Sequence, residues 1–317
     1  MHRRLKKVLR IGGIVTGVVV GLVAAAVLLV LFDKPLVRNI SQKFITKKAG
    51  FDVKIGKLDY TLFPLHVTLS AVTAVYKTSN YTMDVTVDRI EARGDFRKLL
   101  NGTKPAFETV EIDVAELRFD QSKISEVPID FATIVPQVGT ILGYSARTSI
   151  VCRSMPIAVP GQKFQADDLA LAFSRTTATD SFGLRLDARR FAAAMTAGGQ
   201  AVEAPLHADG TLTLAGTMVA TLRLGLDSPR ITAGGRTESF KSLALETDGT
   251  WWIAENKVSL RKLVIDIPDI VSAAAAFDAD FGKNGSFSAD GNARFEKLEA
   301  LVQSADPYLP PAFRGMH

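Results

Sequence analysis

Leu65-His66-Val67-Thr68-Leu69-Ser70 carries an apolar side chain at every odd position and a polar one at every even position. Successive side chains of an extended chain point to opposite faces, so a period of two marks a strand with one apolar and one polar face. The pattern extends outward in both directions. Met83, Val85 and Val87 alternate with Asp84, Thr86 and Asp88, and Val110, Ile112 and Val114 alternate with Glu111 and Asp113. Further along come Leu169, Leu171 and Phe173; Phe182, Leu184 and Leu186; Leu212 and Leu214; Leu222, Leu224 and Leu226; Leu243 and Leu245; Val258 and Leu260. Turn signals at Ala197-Gly-Gly, Asp227-Ser-Pro, Ala233-Gly-Gly, Asp248-Gly and Lys283-Asn-Gly separate these runs, a spacing that predicts an antiparallel meander from Phe51 onward.

Helical signals are few. Asp33-Lys-Pro35 reads as a helix start; Leu36, Val37, Ile40 and Phe44 recur at helical spacing and Gly50 supplies a stop. Such a helix would either plug the end of a sheet or lie on anionic headgroups, and the body attached directly behind it favours the plug. Asp95 to Asn101, the alanine-rich Phe191 to Met195, and Phe295, Leu298, Leu301 and Val302 make up the rest. So little helix cannot cover the apolar faces of about a dozen strands. Those faces must meet a second sheet, close into a barrel, or face something else apolar, and lipid is the leading candidate. The odd steps from Val114 to Leu117 and from Leu260 to Leu263 predict a bulge or tight turn at Ala115-Glu116 and at Arg261-Lys262.

Arg3, Arg4, Lys6, Lys7 and Arg10 precede a run of 22 uncharged residues, Ile11 to Phe32. In a helix that run spans roughly 33 Å, enough for a hydrocarbon core of ~30 Å. It exceeds the usual signal-peptide h-region, and no small-x-small cleavage site follows it, so it reads as an uncleaved anchor with a cytoplasmic tail and an exported body. Gly13, Gly17 and Gly21 line one face of it, the spacing of close-packed membrane helix pairs. The net charge of +5 belongs to the tail: without those five basic residues, 33 basic stand against 33 acidic. A neutral body has no summed field for a polyanion, which excludes nucleic acid as a main partner. The expected organisation is a basic tail (1–10), an anchor (11–32), an N-terminal β unit (33–128), an irregular proline-bearing boundary (129–160) and a repetitive β region ending in a short helix (161–317).

No G-x-S-x-G, H-E-x-x-H, G-x-G-x-x-G or P-loop occurs, and His2, His66, His207 and His317 are too scattered to hold zinc. Asp167-Asp168 and Asp278-Ala-Asp280 sit on alternating strands, where carboxylates point to water; His66 reads as a solvated histidine and Cys152 as a buried, inert thiol. The expectation is a non-enzyme with no cofactor and no metal.

Gly50-Phe-Asp-Val-Lys-Ile-Gly-Lys-Leu58, Leu62-Phe-Pro64-Leu-His-Val-Thr-Leu69, Val87-Asp-Arg-Ile-Glu-Ala92, Asp95-Phe-Arg-Lys-Leu-Leu-Asn-Gly102 and Thr109-Val-Glu-Ile-Asp113 occur in that order behind the anchor. Over roughly the first 120 residues this resembles the N-terminal pattern of the AsmA-like proteins, related to TamB and to bridge-like lipid-transfer proteins. The resemblance implies a single-pass inner-membrane protein with a periplasmic body, a long curved sheet with an apolar concave face, and guidance of phospholipid chains across the envelope. The residues expected to line that groove are Leu171, Phe173, Leu184, Leu186, Leu222, Leu224, Leu243, Leu245, Val258 and Leu260. An envelope assembly factor that binds protein at its sheet edges is the alternative.

Overall fold

The computed structural model describes residues 34–49, 52–77, 81–121, 139, 142–176, 181–195, 199–215, 217–233, 235–252, 255, 257–268, 271–280 and 286–295. The expected anchor with Gly13, Gly17 and Gly21, the basic tail and most of the terminal helix lie outside them. No helix among the described residues is long and apolar enough to cross a membrane.

Helix α1 (Lys34–Ala49) precedes β1 (Asp52–Leu62), β2 (Leu65–Lys77) and β3 (Tyr81–Gly94). Helix α2 (Phe96–Leu100) follows, with the Asp95 carboxylate accepting from the Arg97 and Lys98 N–H groups as its N-cap. Then come β4 (Phe107–Gln121), β5 (Ser145–Val159), β6 (Gln162–Arg175), β7 (Ser181–Met195), β8 (Gln200–Ala215) and β9 (Thr217–Asp227). A short hairpin, β10 (Arg230–Ala233) and β11 (Arg236–Ser239), leads into β12 (Ser242–Trp252), β13 (Lys257–Ile267), β14 (Val271–Asp280) and β15 (Ser286–Phe295). All belong to one long, curved, open sheet in the order β1 through β9, then β12 to β15, with β10 and β11 branching off β8.

The sheet is mixed, which corrects the expected all-antiparallel meander. β4 and β5 run parallel, Phe107 beside Ser145 and Ile112 beside Ile150. A parallel neighbour requires a crossover, and the residues between Gln121 and Ser145 provide it. Part of the crossover returns over the apolar face: Leu142 packs on Phe182 and Leu214. Gly139 lies so close that a Cβ there would sit 2.9 Å from the Leu214 Cβ. The second half of the stretch 129–160 is β5, an interior strand of the sheet.

Two further expectations are corrected. Phe191 to Met195 continues β7 as a strand, because Ala192, Ala193 and Ala194 are held by ladders on both sides. Two strand neighbours outweigh the intrinsic helix preference of three alanines. Asp248-Gly249 is not a turn but mid-strand in β12, where the missing side chain makes room for Leu260.

Seven neighbouring strands change phase at one line. Ile55 and Leu58, Leu69 and Val72, Val87 and Ile90, Val114 and Leu117, Cys152 and Met155, Ala166 and Leu169, and Ala188 and Phe191 are three apart, yet both members of each pair stay on the apolar face. Ala71 and Asp168 take left-handed backbone on this line, with φ near 52° and 51°. The expected irregularities are present: the β3–β4 register shifts opposite Ala115, and the β13–β14 register shifts between Leu260 and Leu263. The crease also carries the core. Val53, Ile55, Val72, Val87, Val114 and Cys152 form one buried cluster along it, and Ala166, Ala188 and Ala204 continue it as buried positions.

Candidate functional site: the apolar face

Paired residues of adjacent strands share a face, so the register fixes where each expected groove residue lies. Leu171 pairs with Leu186 and Phe173 with Leu184. Across β8, Leu186 faces Ala208 and Leu184 faces Gly210, which face Leu224 and Leu222 in β9. Leu224 pairs with Leu245, and Leu226 with Leu243. Gly249 and Trp251, on the same side of β12, pair with Leu260 and Val258. All ten positions thus fall on one continuous face, and all ten are half-buried rather than enclosed. Phe173 differs from the rest in bordering the cluster of Leu142, Phe182 and Leu214, where the crossover covers one end of the face.

The same face extends well beyond those ten. Leu58, Leu69, Ile90, Ile112 and Ile150 form an unbroken row across β1 to β5 that ends on Leu171 in β6. Sequence reading missed this half as part of the site, although the alternation at Leu65 to Ser70 and Val110 to Val114 already carried the signal. It also missed a hollow of about 220 Å³ at the end opposite the crossover, lined by Phe164, Ala193, Met195, Val202 and Ile231. The odd step from Ala166 to Leu169 hides Phe164 from a simple alternation count.

The opposite face is a field of cross-strand ion pairs. Arg89 meets Asp113 at 3.1 Å, Arg190 meets Glu203 at 2.7 Å and Asp167 at 3.4 Å, and Lys262 meets Glu246 at 2.7 Å. Arg153 pairs with Asp88, and Arg189 with Asp168 at 2.9 Å. Exposed pairs of this kind add little stability each, but they commit that face to water.

His66 is not the unpartnered histidine expected. Its Nε2 lies 3.0 Å from Glu91 Oε1, and Glu91 is buried among Arg89, Arg93 and His66. Hydrogen bonding from Arg93, and secondarily from His66, holds the Glu91 carboxyl below its ordinary value against the opposing effect of burial. The Glu91 carboxylate is thus shared among Arg89, Arg93 and His66. Cys152 is buried, its Sγ donates to the Ser154 carbonyl at 3.3 Å, and burial pushes the thiol up, the setting of an unreactive cysteine. Among the described residues no group of three or more His, Cys, Asp or Glu side chains is placed to hold a metal ion.

Comparison of the chain with protein-family models, with curated proteins and with solved structures gives no match.

Proposed function

We propose that the apolar face binds phospholipid acyl chains, in a membrane-anchored envelope protein of the AsmA-like type. The anchor is residues 11–32, the body lies in the periplasm, and the role is lipid transport or envelope biogenesis. One observation carries the reading: ten large apolar side chains share a single face, half-buried, and among the described residues only the crossover around Leu142, at the Phe173 end, packs over that face. Fully burying a leucine is worth roughly 1.5–3 kcal/mol, so a face of this extent left to water is a standing cost comparable with a domain's whole stability. An acyl chain lying on it recovers up to ~0.8 kcal/mol per CH₂ and tolerates sliding, because the contact has no preferred direction.

The edge-binding alternative draws on β15, which pairs only with β14 among the described residues and leaves Phe287 70 % exposed. One experiment separates the two. The full chain and its Leu224→Asp and Leu245→Asp variants are purified and their phospholipid content is measured by mass spectrometry, with thermal unfolding in parallel. The groove reading expects stoichiometric lipid in the parent and folded, lipid-free variants, because a groove-facing carboxylate reaches water when the lipid is gone. A parent without lipid, or variants that collapse because the carboxylate is trapped in a closed core, overturns it in favour of the edge-binding role.

A further inference from the structure

The neutrality of the body conceals a separation of charge. From Lys34 to Lys57 the chain holds seven basic residues, Lys34, Arg38, Lys43, Lys47, Lys48, Lys54 and Lys57, and one acid, Asp52. The rest of the chain, from Leu58 onward, holds 26 basic residues against 31 acidic. The fold brings the basic segment together at one edge of the sheet. Gln42 Oε1 accepts from the Ile55 N–H at 3.2 Å, Arg38 Nη1 donates to the Gly56 carbonyl at 2.8 Å, and Lys34 Nζ reaches Asp59 Oδ1 at 3.0 Å. These bonds hold α1 against β1, the first strand of the sheet. Asp59 answers both Lys34 and Lys57, the latter at 2.7 Å, and Lys43 and Lys54 stand exposed beside them.

We infer that this edge, α1 together with β1, is a docking surface for the anionic headgroups of a phospholipid bilayer. Charge complementarity supplies the attraction, and it acts over about one Debye length, ~8 Å at physiological salt. Position selects a bilayer over other polyanions. The basic segment starts two residues after the apolar run 11–32, so a membrane crossed by that run has its headgroups within reach of α1. The inference rests on the anchor reading above and is independent of whether the apolar face takes lipid. Docked this way, β1 would hold one end of the apolar face at the bilayer surface, with the other strands extending away from it.

The test uses the full chain in lipid nanodiscs made of phosphatidylcholine alone or with a substantial fraction of phosphatidylglycerol. Lysines are acetylated briefly, and labelling at Lys43, Lys54 and Lys57 is read by peptide mass spectrometry against Lys163 and Lys257, which are remote from α1. Docking expects labelling at the three edge lysines to fall by about threefold or more in the anionic discs and to recover in high salt, with the two controls unchanged. Equal labelling in both discs, or a fall shared by the controls, overturns it. Retention of the chain in the disc at high salt reports the anchor separately. A chain that leaves the disc but is protected in low salt removes the anchor and keeps the docking; one that stays without protection does the reverse.

Discussion

Gly210 and Gly249 both lie on the apolar face, opposite Leu222 and Leu260, but a methyl group would meet different obstacles at the two sites. At Gly210 it would sit 2.0 Å from the Thr221 carbonyl oxygen, which is ladder backbone; at Gly249 its closest neighbour, at 2.2 Å, is the Leu260 Cδ2, the mobile end of a side chain. Gly210→Ala is therefore predicted to cost about 2 kcal/mol or more and Gly249→Ala less than about 1 kcal/mol, measured as urea midpoints at unchanged slope. Equal losses would refute the distinction. On the polar face the informative residue is Glu91. Its carboxyl, held down by Arg93 and His66, binds fewer protons folded than unfolded at mildly acidic pH. Its contribution is therefore complete above the ordinary value near 4.5 and drains away as pH falls toward the lower folded value. Glu91→Gln should lower stability at neutral pH by about 1–3 kcal/mol and make the fall of Tm with acidification shallower than in the parent. Parallel Tm–pH curves would show that Glu91 contributes nothing to the acid response.

Among elements, the crease across β1 to β7 can be tested where its backbone is strained. Ala71 adopts φ near 52° on an exposed position, a conformation costing an L-residue roughly 1–2 kcal/mol that glycine avoids. After the entropy cost of glycine, Ala71→Gly should stabilise by about 0.5 kcal/mol and raise Tm by about 1–2 °C, while Ala74→Gly in the regular part of β2 should lower it. A loss of stability at Ala71 would mean that the phase change there is not strained. How this element reads from sequence depends on range. The odd steps at Val114–Leu117 and Leu260–Leu263 are local, so they announce their bulges directly. Ala192 to Ala194 are local too, but they point the wrong way, since alanine's helix preference is overruled by ladders with residues some 30 positions earlier and about ten later. The parallel β4–β5 pair leaves no local mark, because it depends on which distant strand the returning crossover finds. Asp248-Gly misleads for a similar reason: the need for a glycine comes from Leu260 on the next strand, not from a turn. That the ten positions share one face was legible because a period of two survives in every strand that bears them. The row through Ile90, Ile112 and Ile150 joins them only through the ladders.

Across the described residues, the decisive property is that the sheet carries one apolar face from edge to edge. Thirteen strands stand in the main path, and at ~4.8 Å between neighbours the face runs roughly 58 Å along the sheet, about twice the thickness of a bilayer's hydrocarbon core. A closed pocket matched to one chain would set a length limit, with affinity rising until the cavity is filled and then failing. A face of this extent sets none within ordinary lipid lengths, because each further methylene finds more of the same surface. The ladder rows through Leu171, Leu186, Leu224 and Leu245 contain no charged side chain that would stop a chain crossing them. On the proposed reading an acyl chain would touch the face on one side only, so each CH₂ would recover only part of the ~0.8 kcal/mol of full burial, which corresponds to about a two- to threefold gain in affinity per carbon. Displacement of a fluorescent fatty acid from the full chain by saturated fatty acids of increasing length should therefore give a straight line of log affinity against carbon number, through about eighteen carbons. A break at a defined length would mean that the hollow beside Met195, or the floor under Leu142, closes the site at one end, and would replace the continuous face with a pocket.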